Sequence, residues 1–118
     1  MKIRMGIAFV AVVLVACVSE TKTALDLTII QPPYYKDHID TIATDTIIVE
    51  GVTTVGAMAM IGATENPTIP VAVDNSGHFI GQFVVEDMEG NYSAFVKVSM
   101  ANHDPILESR SVYYKPLH

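Results

Sequence analysis

Hydrophobic positions follow two regimes along the chain. From Met5 to Ala16 twelve residues run without a charged or polar side chain, after a start that carries Lys2 and Arg4. From Leu25 onward apolar residues instead alternate with polar ones in short runs punctuated by Gly, Pro, Asn and Asp. Alternation of this kind marks β-strands, because successive side chains point to opposite faces. Seven strands are predicted. The first runs over 25–30 and stops at Pro32-Pro33. The others are 46–53, 57–61, 68–73, 78–85, 92–101 and 107–115, the last ended by Pro116. Pro70 cannot donate to a ladder, so the fourth strand belongs at an edge. Strands at this spacing, with no long helical period between them, predict an all-β sandwich or barrel.

The alternation also assigns faces. Phe79, Gly81, Phe83 and Val85 share one side of the fifth strand and predict core, while His78 and Gln82 mark the wet side. In the sixth strand Ala94, Val96, Val98 and Met100 oppose Phe95, Lys97 and Ser99. Met58 and Met60 oppose Ala57, Ala59 and Ile61. Either the methionines are exposed as an adaptable contact surface, or the register is reversed and they are buried.

The apolar segment is too short to cross a bilayer, which takes roughly 20 residues, and has the length of a secretory h-region. It ends in Leu14-Val15-Ala16-Cys17. This resembles the lipobox of bacterial lipoproteins. The resemblance implies cleavage before Cys17, lipid on its sulfur, and a signal peptide over 1–16. Residues 17–24 then read as a polar tether and 25–118 as the folded domain. Ser19, in place of an acidic retention residue, implies the outer membrane if the envelope is Gram-negative. Acyl chains contribute roughly 0.8 kcal/mol per buried methylene, so such an anchor is stable.

Within the folded part, the strand Leu27-Thr28-Ile29-Ile30-Gln31-Pro32 is followed by Gly51-x-Thr53-x-x-Gly56-Ala57. Then come Val71-x-Val73-Asp74-x-x-Gly77-x-Phe79 and Gly90-Asn91. Their order is similar to bacterial Ig-like modules of the glucodextranase domain B-like type. Asp74-Asn75-Ser76-Gly77 is longer than the Asp-Gly step usual there, and Glu86-Asp87-Met88-Glu89 lengthens the next turn. The resemblance implies an Ig-like antiparallel sandwich of about seven strands that serves as a spacer, adhesive or accessory unit. It also implies that Ala57, Ala59 and Ile61 point inward.

Charge and cysteine count narrow the chemistry. Of seven basic residues, Lys2 and Arg4 precede Cys17, leaving five against thirteen acidic ones, a formal charge of −8. That balance disfavours nucleic acid. Cys17 is the sole cysteine, so the domain has no internal disulfide. His38, His78, His103 and His118 are scattered, whereas zinc needs three or four converging ligands. Glu86, Asp87 and Glu89 fit a solvated turn better than a calcium cage of six to eight oxygens. Asp74 to Gly77 reads as a hairpin turn. Asn91-Tyr92-Ser93 is formally a glycosylation sequon, read instead as a turn into the sixth strand. No serine sits in a Gly-x-Ser-x-Gly elbow. No enzyme, metal or cofactor is expected.

Aromatic pairs offer the nearest approach to a binding surface for a protein or a carbohydrate. Tyr34 and Tyr35 follow the double proline, and Tyr113 and Tyr114 lie in the last strand. If first and last strands are neighbours, the pairs adjoin. Tyrosines at strand edges also complete cores with the hydroxyl wet.

Overall fold

The structure is a computed structural model that describes residues 24–117. Cys17 and its preceding Leu14, Val15 and Ala16 lie outside the described residues. Eight strands form two sheets: β1 (Leu27–Gln31), β2 (Asp40–Ile42), β3 (Thr46–Thr53), β4 (Met58–Gly62), β5 (Ile69–Val71), β6 (His78–Val84), β7 (Gly90–Ser99) and β8 (Ile106–Tyr114). One sheet has the order β1-β3-β6 and the other β2-β8-β7-β4-β5. This is an Ig-like sandwich of two facing layers, with β4 and β5, and again β7 and β8, paired as consecutive neighbours within the larger layer.

Two features depart from expectation. There are eight strands, not seven, because Asp40–Ile42 pairs with the last strand. That pairing is parallel, so the sandwich is not wholly antiparallel. Three residues are too few to show a period, and only tertiary pairing holds them extended. Elsewhere the sequence pattern predicts the strands within three residues at each end. Pro70 stands on edge strand β5 opposite Met60.

The core is the set of inward positions on both sheets. Ile47 and Val49 of β3 and Phe79 and Phe83 of β6 face Ala59, Ile61, Ala94, Val96, Val98 and Val112 across the gap. Each buried Val, Ile or Phe contributes about 1.5–3 kcal/mol relative to exposure. Gly51, mid-strand in β3, is directly opposite Phe79, whose ring lies over the missing side chain.

Tyr92 locks one corner. Its hydroxyl donates to the carbonyls of Met88 (2.8 Å) and Glu86 (3.2 Å), tying the β6–β7 turn to the start of β7. A tyrosine at this place, bonded back to the main chain, is a hallmark of Ig-like sandwiches.

Thr53 and Thr54 fasten the beginning of the domain. The Thr53 hydroxyl donates to the Asp26 carbonyl (2.6 Å) and that of Thr54 to the Ala24 carbonyl (2.7 Å). Ala24 therefore lies at the end of the sandwich that carries the β3–β4 turn. Strand registers place Tyr114 and the residues after it at the opposite end.

Candidate functional site

The β5–β6 turn behaves as its sequence predicts. Asp74 Oδ1 accepts from the Ser76 hydroxyl (2.8 Å), the Ser76 amide (2.9 Å) and the His78 amide (2.9 Å). Gly77 takes φ +87°, and a Cβ there would stand 2.1 Å from the Thr53 carbonyl oxygen. The Ser76 hydroxyl, then the two amides, hold the Asp74 carboxyl below its ordinary pKa. This carboxylate is occupied in turn geometry.

The acids of the β6–β7 turn are drawn to tyrosines. Tyr113 donates to Glu89 and Tyr114 donates to Asp87. The bond to Glu89 raises the Tyr113 pKa, and the bond to Asp87 with burial pushes that of Tyr114 up to about 12. Tyr114 is only 3% exposed, so it leaves the expected surface patch and joins the core, its ring tilted at 56° to that of Tyr92 with centroids 6.4 Å apart. The reason is parity: Tyr114 shares its face of β8 with Val112, while Tyr113 shares the opposite face with Ser111 and Ser109.

The methionines take the outer face of the five-stranded sheet, with Ala59 and Ile61 inward and Ala57 also buried, as the resemblance implied. Met58 is 67% exposed and Met60 half-buried beside Lys97 of β7. They lie near the β5 edge, lanes away from the tyrosines.

Tyr34 and Tyr35 form the most developed site. They belong to the β1–β2 connection, which passes beside β8. Because β2 pairs with β8 only from Val112 onward, the edge of β8 at Ser109, Arg110 and Ser111 that lies away from β7 faces this loop instead of a strand. A cleft of about 440 Å³ opens between loop and strand. Tyr34 is 73% exposed, and the Arg110 guanidinium lies 5.8 Å from its ring centroid. Cation–π contact of this kind is worth about 0.5–1 kcal/mol at an exposed site. Tyr35 stacks on His38 with ring centroids 4.2 Å apart, and Asp37 pairs with His38 Nδ1 at 2.7 Å. Arg110 Nη1 donates to the Ser109 carbonyl (3.1 Å), while its Nε is buried without a hydrogen-bond partner among the described residues. Tyr34 and Tyr35 thus lie beside β8 and Tyr113 and Tyr114 within it, in different surroundings. Arg110, which sequence reasoning passed over, lines the cleft against Tyr34. Its signal was legible: it is a cation at a position of β8 sharing parity with core residues Val112 and Tyr114.

The remaining described histidines are apart. His78 Nε2 lies 2.7 Å from Glu50 on the outer face of the three-stranded sheet, and Glu50 also accepts from Gln31. His103 Nδ1 lies 2.9 Å from the Ala101 carbonyl. Among the described residues no group of three or more His, Cys, Asp or Glu is arranged to hold a metal ion.

No family model matches the chain, and no curated protein matches it. Among solved structures it is similar to an engineered protein determined by a structural genomics consortium, with a TM-score of 0.53 and 10% identity. The match covers 78% of this chain and 20% of that one, so this chain spans about a fifth of its length. At that identity the likeness concerns the fold alone.

Proposed function

We propose that this chain is an exported lipoprotein, cut before Cys17 and anchored by lipid on that residue, whose Ig-like domain is a non-catalytic binding or spacer module of the cell envelope. The carrying observation is the sequence Leu14-Val15-Ala16-Cys17 at the end of an uncharged twelve-residue segment with Lys2 and Arg4 before it. The geometry of the domain is compatible with tethering. Ala24 lies seven residues beyond Cys17, a reach of roughly 25 Å at full extension. Anchored so, the sandwich stands with its β3–β4 end nearest the membrane and the acidic β6–β7 turn outermost. The Ig-like fold fits the glucodextranase domain B-like resemblance, and modules of that kind act through surfaces.

A carbohydrate- or wall-associated role is the second reading, favoured by Tyr34 and Tyr35 beside the cleft. The test of the anchor is metabolic labelling with an azido-palmitate. Wild type incorporates the label and Cys17→Ser does not; an unlabelled wild type overturns the proposal.

A further inference from the structure

We infer that the cleft between the β1–β2 loop and β8 binds a sugar acid, with the Arg110 guanidinium taking the carboxylate and the exposed face of Tyr34 taking the sugar ring. The inference deepens the binding-module reading and rests on it.

Four observations converge. First, the cleft holds charge of the rare sign. Residues 24–117 contain four lysines and arginines, and two of them, Lys36 and Arg110, line it. Second, Arg110 has donors to spare. Among the described residues its Nη1 reaches one main-chain carbonyl and no carboxylate is paired with it; Nε also lacks a partner but is buried, so the two terminal nitrogens are the donors a ligand would meet. A guanidinium presents a fork that suits a carboxylate bidentately. Third, one side of the Tyr34 ring meets Arg110, yet the residue is 73% exposed, which leaves a ring face free as an apolar platform. Fourth, acceptors accompany the donors: Asp37 and Asp40 line the same cleft, with the hydroxyls of Ser109 and Ser111.

The acids decide which anion fits. Two carboxylates beside two cations disfavour a dense anion such as phosphate. They suit a ligand with one carboxylate and several hydroxyls that donate hydrogen bonds. That description is a uronic acid residue of an acidic glycan. The volume falls within the range of small-ligand sites, roughly 300–1,000 Å³.

The experiment is calorimetric titration of the full chain in detergent with trigalacturonic acid, its neutral counterpart galactotriose, and a Gly-Asp-Gly peptide. Trigalacturonic acid is expected to bind, galactotriose to bind at least tenfold more weakly, and the peptide not to bind. Arg110→Gln should weaken trigalacturonic acid by about tenfold or more, the scale of a lost charge-assisted bond. Tyr34→Ala serves as the second variant, because an exposed side chain is removable without disturbing the core; it too should weaken binding. No binding of trigalacturonic acid, equal binding of galactotriose, tighter binding of the peptide, or unchanged affinity in both variants would each overturn the inference. Palmitate labelling is scored on the same preparation. Protein that labels but does not bind sinks only the sugar-acid site, and protein that binds without labelling sinks only the anchor.

Discussion

Gly51→Ala isolates how tightly the two elements of the three-stranded sheet close around the core. A Cβ at this position would lie 2.6 Å from Phe79 Cζ and 2.7 Å from the Thr28 carbonyl oxygen. Neither neighbour can yield freely. Phe79 is 1% exposed among core side chains, and Thr28 is main chain of the adjacent strand β1, paired with Val52. Overpacking of this kind costs typically 1–3 kcal/mol. Replacing a strand glycine by alanine returns roughly 0.5–1 kcal/mol of chain entropy. Two contacts below 3.0 Å put the cost in the upper part of that range, about 2–3 kcal/mol, which less about 1 kcal/mol leaves a net loss of about 1–2 kcal/mol. For a domain of this size each kcal/mol moves the melting temperature by about 4–8 °C, so Tm should fall by about 4–16 °C. Thermal unfolding followed by circular dichroism reads this directly. Combining Gly51→Ala with Phe79→Leu tests the cause, since removing the ring tip removes half of the clash. The double variant should lose less than the sum of the singles, a coupling that contacting residues show. A Tm for Gly51→Ala within about 1 °C of wild type, or strict additivity with Phe79→Leu, would refute the packing described here.

Tyr92→Phe removes the hydroxyl that joins the β6–β7 turn to β7 and should cost about 0.5–1.5 kcal/mol in denaturant unfolding, with an unchanged midpoint counting against the corner. Tyr114 supplies a pH signature. Its pKa is raised in the fold, so its hydrogen bond to Asp87 contributes fully below the ordinary tyrosine value near 10 and is lost as pH rises through about 12. The stability gap between wild type and Tyr114→Phe should therefore be constant from pH 7 to about pH 10 and close toward pH 12; a gap that widens there contradicts the assignment.

How much of this was legible in the sequence depends on which interactions define each part. The core was, because Phe79, Gly81 and Phe83, or Val96 and Val98, alternate with polar residues and the sheet obeys that alternation. On β3 the apolar Ile48 stands between Ile47 and Val49, so the sequence marked the strand but not its inner face, whereas Pro70 announced the edge. The Asp74–Gly77 turn was legible for a local reason: its bonds join residues two and four apart. Strand β2 was not, since its extended state depends on Val112 and Tyr114, some seventy residues away. The fate of Tyr114 was open because tyrosine suits core and surface alike, and parity with Val112 was the cue that separated it from Tyr113. Tyr92 was read only within a turn and a sequon, although a tyrosine just inside the long strand signals the corner. The Tyr34 cleft was half legible. The aromatics stood out, but their cation comes from a strand whose register relative to the loop no local pattern encodes.

Cys17 is the residue on which the proposed function turns. The most direct measurement is mass spectrometry of the N-terminal peptide of the membrane-extracted protein. Lipid anchoring predicts a chain that begins at Cys17 and carries the mass of diacylglycerol on that residue, shifted again if its amine is acylated. A chain that retains residues 1–16, or begins at Cys17 without lipid, would contradict it.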